Sequence, residues 1–227
     1  MLQGWGDEIL RGLGMTLLVG FCALGVALVM GLLGSWAKLS RSAFARGLAT
    51  LYTTVVRGVP ELLMILIVYY GTPTLIQNIA EHFGHDIRVD FNPFVAGVTT
   101  IGMIYGAFAT EVFRGAFLAL DKGQLEAARA CGMGRALAFR RIMLPQVWRF
   151  ALPGLGNLWL VLIKATALIS VIQLTELLRW SDIAARNTRQ PFTFFFVAAC
   201  LYLLITLVSQ LALHRAERWA NRGIRRA

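Results

Sequence analysis

Charge is scarce in this sequence. Asp, Glu, Lys and Arg make up 15% of its 227 residues, against about a quarter in soluble domains. Hydrophobic residues make up 57%, with a mean hydropathy of +0.64, so a soluble domain is excluded and the bilayer is the expected solvent. Acidic residues are few, 12 against 22 Lys and Arg, for a net charge of +10. A nucleic-acid surface would explain that excess only if the basic residues gathered in one patch. Cysteine is limited to Cys22, Cys131 and Cys200, too scattered for a zinc motif or a disulfide framework. His82, His85 and His214 have no partner at metal-ligand spacing, so no metal is expected. There is no Gly-x-x-x-x-Gly-Lys-Ser/Thr phosphate loop, which excludes ATP binding of that kind. His-Glu-x-x-His, paired carboxylates within a span and a Ser-His dyad are missing as well. Ser170 lies six residues from Lys164, a poor match for one helical face. No catalytic residue is expected, which argues against a membrane-embedded enzyme. A basic leader is lacking too: Asp7, Glu8 and Arg11 precede the first apolar stretch, so a signal peptide is not expected. No internal repeat or low-complexity tract is visible, and one domain, 1–227, follows.

What the chain does have is five long apolar stretches. A spanning helix needs roughly 20 mostly apolar residues. Gly12–Ala37, Leu62–Ala80, Phe91–Thr110 (running on past Glu111), Phe150–Thr175 and Gln190–His214 meet that length. All five must be helical, because lipid offers no partner to a free N–H or C=O. Pro60 suits the first turn of the second span. Basic residues set the direction. Lys38, Arg41, Arg46 and Arg57, the run from Arg114 to Arg149, and the tail from Arg215 to Arg226 would share one side. Arg11, Arg88, Arg179, Arg186 and Arg189 lie on the other. The basic-rich side is expected to be cytoplasmic, which puts the N-terminus in the periplasm and the C-terminus in the cytoplasm. Topology thus accounts for the charge, nucleic acid is not needed, and the basic tail is a candidate anchor to anionic membrane lipid. Gly102 and Gly106 have the spacing for close helix approach, within this chain or at a dimer seam. Tyr69, Tyr70, Trp148, Trp180 and Trp219 fall near span ends or in loops, as interface anchors do.

The most telling segment is 121–145, on the expected cytoplasmic side. Glu126, Ala127 and Ala128 are followed by Gly132 and then by Ile142, Leu144 and Pro145. Alanines favour helix and Gly132 breaks it; a second helix through Leu137, Phe139 and Ile142 is expected to end at Pro145. A helix lying on lipid headgroups would not require that register, whereas a docking helix would use Ala127 and Ala128 to enter a groove closely. Glu126 is expected to pair with a basic residue, on a partner or within the loop.

This spacing resembles the coupling loop of ATP-binding-cassette (ABC) importer permeases. Arg57-Gly58-Val59-Pro60-Glu61, Glu111-Val112-Phe113-Arg114-Gly115, Ala151-Leu152-Pro153-Gly154 and Lys164-Ala165-Thr166-Ala167-Leu168 extend the resemblance to the polar-amino-acid-uptake permeases, nearest the Q-type subunit of histidine/lysine-arginine-ornithine importers. The resemblance implies an all-α, five-span type I importer fold in the bacterial inner membrane. It implies three partners for this chain, an ABC ATPase dimer that holds the ATP and Mg, a second, M-type permease and a periplasmic amino-acid-binding protein, and no cofactor of the chain's own. Importers of opines or of other amino acids carry similar permeases, and a non-transporting scaffold is the remaining rival.

Ionisable groups in a membrane need a reason. Glu61 suits the first turn of its helix and has Arg57 nearby as a candidate partner, or it meets substrate. Glu111 and Arg114, three apart, form a gate or a packing pair; exposed, such a pair contributes only about 0.2–0.5 kcal/mol. Lys164 lies deep in its span, where its charge must meet a carboxylate, a carbonyl, water or a polar cavity; a substrate carboxylate is one candidate and a cationic side chain is not. Relatives often follow this lysine with a polar or acidic residue, and Ala165 here points to the partner permease as holder of a cationic side chain. Thr166 and Ser170 share a face and either line the path or bond their own backbone; Gln173 is a further polar candidate, and Tyr105 a pore candidate.

Overall fold

The computed structural model describes residues 4–85 and 89–221. Arg88, Arg222, Arg225 and Arg226 of the charge pattern lie outside the described residues. Five helical stretches are long and apolar enough to cross a membrane: Gly6–Leu39, Glu61–His82, Pro93–Leu118, Arg135–Ile172 and Pro191–Ala220. Among the described residues there is no strand.

The first span, α1 (Gly6–Leu39), takes in Asp7 and Glu8, which complement the positive end of the helix dipole. Its 34 residues reach about 51 Å, more than the roughly 30 Å hydrocarbon layer, so charged first turns are affordable at one end. The third span, α5 (Pro93–Leu118), starts at an Asn92 cap followed by Pro93 and continues past Glu111 as expected. α1 and α5 pack side by side in parallel, and glycine makes the approach possible. A Cβ on Gly106 would come within 2.7 Å of the Met30 side chain, and Gly102 sits against Val26. The small-residue pair therefore serves packing within the chain. Val19, Ala23 and Ala27 of α1 meet Ile101, Ile104 and Tyr105 of α5 in the core.

The second span is not the simple helix the hydropathy suggests. Residues expected to form a basic loop fold as α2 (Ala43–Gly58), capped by Ser42. Ala49, Thr53 and Val56 are buried, while Phe44, Leu48, Leu51 and Val55 form an exposed apolar stripe on the opposite side. The Tyr52 hydroxyl donates to the carbonyl of Met103, midway along α5. α2 thus runs up into the bundle. It stops because Pro60 disfavours helix at Val59 (φ −103°, ψ 138°). The chain resumes as α3 (Glu61–Leu66), a π turn (Ile67–Gly71) and α4 (Thr72–His82). α2 was hidden from the sequence because its basic residues and two glycines mask a helix with apolar residues on both faces.

The 121–145 segment contains α6 (Lys122–Ala130) and α7 (Arg135–Ala138), then a π turn (Phe139–Met143) leading straight into α8 (Leu144–Ala165). Pro145 does not end a helix, contrary to expectation; it sits in the first turn of α8. The missing N–H and ring bulk of a proline disturb the preceding turn, and the widened π turn absorbs the disturbance. Pro73 follows the other π turn in the same way. α8 tightens into a 3₁₀ stretch (Thr166–Ile172), and Gln173 in the left-handed region turns the chain. A further unforeseen helix, α9 (Leu177–Thr188), precedes α10 (Pro191–Ala220). Ile9, Leu177, Ala184, Ala185 and Phe194 pack these elements together. The end of the bundle that carries the 121–145 segment is termed inner, and the end that carries α9 outer.

Candidate functional site

The break before Glu61 opens a hollow in the bundle. Two adjoining cavities of about 320 and 380 Å³ share Arg57, Phe108 and Glu111 as walls. The larger is lined by Lys38 and Thr53, and the smaller by Glu61, Tyr105, Gly154 and Asn157. Tyr105 lies near the middle of α5 and is 3% exposed; its hydroxyl donates to Glu61 at 3.1 Å. That bond sets Glu61 level with mid-helix, at the end of the broken second span. The expected Arg57–Glu61 ion pair is not made. The Arg57 guanidinium stands over the Phe108 ring, 5.0 Å from its centroid, a cation–π arrangement. Its charge thus borders the hollow without neutralising Glu61.

Glu111 closes the inner side. Arg114 Nε donates to Oε2 at 2.9 Å, the i,i+3 pair expected from the sequence. Lys38 from the last turn of α1 pairs with Oε1 and also donates to Thr53 Oγ1 at 2.7 Å. The Lys38 ammonium, bonded to Glu111 and Thr53, therefore ties α1, α2 and α5 together. Nothing in the sequence singled out Lys38, which read as one of several loop cations.

α8 presents an exposed stripe of Phe150, Pro153, Asn157, Val161 and Lys164, successive steps of three or four residues along one face. Asn157 and Val161 line the Glu61 hollow. Lys164, two turns further out, borders a separate groove of about 320 Å³ with Leu178, Phe195, Ala198 and Tyr202. Lys164 and Glu61 are therefore on one side of the chain but not in one cavity. Among the described residues Lys164 has no carboxylate partner. Thr166 is fully buried and donates to the Ile163 carbonyl at 2.7 Å, which removes it from the path. Ser170 is half-buried, and exposed Gln173 serves the left-handed turn. Glu176, unremarked in the sequence, is fully buried and caps α9; burial pushes its carboxyl above the usual range, and the hydrogen bonds it accepts offset only part of that.

At the inner end, Asp121 caps α6 by accepting from the Gly123 N–H. Gly132, at φ +77°, ends it: Met133 N–H bonds the Ala128 carbonyl and Gly132 N–H that of Arg129, the paired bonds of a Schellman turn. Only a residue tolerant of the left-handed region fits there. Ala127 faces outward, but Ala128 is buried within this chain; the two alanines do not share a docking face, because adjacent helical residues diverge by a quarter turn or more. Glu126 is exposed and makes no ion pair among the described residues. Leu144 and Pro145 are exposed and Ile142 half-buried. Gln146 donates to Gln124 at 2.6 Å, holding α6 against the start of α8. Leu125, Arg129, Met133, Arg135 and Phe139 line a cleft of about 510 Å³ between α6 and the segment that follows. Among the described residues no group of three or more His, Cys, Asp or Glu is placed to hold a metal.

This arrangement has known counterparts. Residues 30–222 match the family described as binding-protein-dependent transport system inner membrane component. The chain is 48% identical over 224 residues to the octopine transport system permease protein OccQ of Rhizobium radiobacter, covering 99% of this chain and 94% of that one. It is 41% identical over 227 residues to the histidine/lysine/arginine/ornithine transport system permease protein HisQ of Escherichia coli, covering 100% and 99%. A chain from the crystal structure of an amino acid ABC transporter with histidines superposes with a TM-score of 0.79 at 33% identity, over 93% of this chain and 94% of that one. The chain belongs to the binding-protein-dependent transport system inner membrane components, as a non-enzymatic permease subunit of an ATP-driven amino-acid importer of the bacterial inner membrane.

Proposed function

We propose that this chain forms one half of a channel for cationic amino acids and pairs with a second, M-type permease across the α8 stripe. The observation that carries this reading is the clustering of Glu61, Asn157 and Lys164 on one exposed side. Polar and charged groups facing hydrocarbon are costly, so that side belongs against protein or water. Substrate released by the binding protein would pass the Lys164 groove first and then the hollow between Glu61 and Glu111. Names of the relatives support the substrate class: histidine, lysine, arginine and ornithine for one, octopine for another. Octopine contains an arginine skeleton, so a basic side chain (imidazole, ammonium or guanidinium) is the common element. Glu61 is the carboxylate placed to meet it, and Lys164 would meet a substrate carboxylate.

The stroke enters through 121–145. Closure of the ATPase dimer would press on Glu126, Ala127 and the exposed Leu144–Pro145 corner. Because the π turn and α8 are continuous, a push on that corner travels along α8 to the Asn157–Lys164 face. The spans then rock between inward- and outward-open states.

Gentle purification of the chain from its native membrane, with mass spectrometry of its companions, tests the assembly. An ATPase and a second five-span permease are expected. An ATPase with this permease alone would replace the heterodimer with a homodimer, and absence of any ATPase would overturn the coupling role of 121–145. Binding of arginine, histidine and octopine to the companion binding protein then decides between plain cationic amino acids and opines.

A further inference from the structure

Glu176 is a buried carboxylate that neither the hollow nor the coupling segment uses. Its two oxygens accept four hydrogen bonds. Arg179 N–H donates to Oε1 at 2.8 Å; Leu178 N–H, Tyr202 Oη and Thr16 Oγ1 donate to Oε2 at 2.9, 3.1 and 3.2 Å. Thr16 in turn accepts from the Leu177 N–H at 3.1 Å. Three elements meet on this one side chain: α1, the start of α9, and α10. Gly12 allows the contact, since a Cβ there would lie 3.0 Å from the Glu176 carbonyl oxygen and the Leu177 Cα.

Capping α9 does not by itself call for such a residue. Serine, threonine, aspartate or asparagine would satisfy the first N–H groups and stay near the surface, whereas burying a carboxylate is costly unless every lone pair is used. The longer glutamate side chain reaches further, to α10 and to α1. Two of the groups it holds are walls of one groove: Leu178 and Tyr202 both line the cavity beside Lys164. The backbone is also turned sharply on either side of α9. Gln173 (φ 68°) and Arg189 (φ 56°) are the two non-glycine residues in the left-handed region among the described residues, and they bracket the helix. Such conformations persist where the surroundings over-determine them.

We propose that Glu176 is a positioning residue for transport: by holding the Leu178 backbone and the Tyr202 hydroxyl, it fixes the two walls against which Lys164 receives the substrate. The inference rests on the reading that places Lys164 in the pathway. Without the carboxylate, α9 is free to swing on its two bracketing turns and the groove loses its width, while the hollow at Glu61 and the coupling segment stay intact.

The test uses the assembled importer with its ATPase and binding protein in proteoliposomes, with L-arginine as probe and octopine if the wild-type complex ignores arginine. KM for the loaded binding protein, maximal uptake rate and ATPase activity are measured for Lys164→Met, Glu176→Gln, Tyr202→Phe and the Tyr202→Phe/Lys164→Met double variant. Glu176→Gln and Tyr202→Phe are expected to raise KM at least fivefold, and the double variant to be little worse than Lys164→Met alone, since all act on one groove. Tyr202→Phe removes a single oxygen and keeps the test open should Glu176→Gln fail to fold. Wild-type KM in Tyr202→Phe beside a shifted KM in Lys164→Met overturns this inference and leaves the pathway reading standing. Wild-type kinetics in Lys164→Met overturns the pathway reading itself.

Discussion

Glu111 holds two cations at once, Lys38 from α1 and Arg114 from its own helix. Lys38 is only 13% exposed, so removing its anion leaves a largely desolvated charge. Glu111→Ala is expected to destabilise the detergent-solubilised protein by on the order of 3 kcal/mol, read as a lowered midpoint of thermal unfolding, whereas Arg114→Ala, at 41% exposure, is expected to cost well under 1 kcal/mol. Equal losses would count against Lys38 as the main partner. The Glu126 side chain is exposed and makes no hydrogen bond or ion pair among the described residues, so in Glu126→Lys membrane levels are expected to stay at wild type while uptake falls at least tenfold and ATPase activity ceases to respond to loaded binding protein. Undiminished uptake would remove Glu126 from the docking surface. Glu176 gives a pH signature. Its carboxyl binds a proton more readily folded than unfolded, so stability is fully present below the unfolded carboxyl range and falls as pH rises through the higher folded value. Thermal unfolding across that range is expected to show this loss in the wild type and not in Glu176→Gln.

Among the elements, the parallel α1–α5 pair is the rigid one. Gly106 lies so near Met30 that Gly106→Leu overpacks the seam, an effect of about 1–3 kcal/mol visible as lower thermal stability or less assembled complex. Gly115 has open space around it, so Gly115→Leu is the control and is expected to be near neutral. The broken second span behaves differently. α2 and α3 meet at an extended Val59, and what lies at the joint is Glu61 bonded to Tyr105. A helix end within the bundle leaves backbone groups without intrahelical partners at that joint. The two π turns show the same economy of cause: each stands directly before a proline-bearing first turn, and each keeps a helix running where a proline would otherwise disturb it.

For the whole molecule, the proposed pairing makes the α8 stripe the partner face and the exposed side of α1 and α10 the lipid face. Phe21, Leu204, Leu207 and Leu211 give α1 and α10 a mostly apolar exposed surface, on which Gln210 and His214 are the polar neighbours one turn away. The α8 stripe carries Asn157 and Lys164. With Cys22, Cys131 and Cys200 replaced by serine, a cysteine at Asn157 is expected to crosslink this chain to its companion permease through a short bifunctional reagent, and one at Leu207 is not. Crosslinking from Leu207 instead would turn the assembly around.

Much was legible in the sequence where one residue type has one physical meaning. Lipid tolerates only paired backbone, so five apolar stretches had to be five helical spans. The alanines and Gly132 spelled a helix and its break, and Glu111–Arg114 followed from helical spacing alone. Tertiary structure decided the rest, because those facts depend on what comes near from far along the chain. Lys38 became the second partner of Glu111, and Arg57 turned to Phe108 rather than Glu61. Ala128 was buried by its own loop, Thr166 by its own backbone, and Lys164 was set in a groove apart from Glu61. Burial of Glu176 among Thr16, Tyr202 and the first N–H groups of α9 lies furthest from the sequence: a carboxylate in a polar connection looks solvated until three elements close over it.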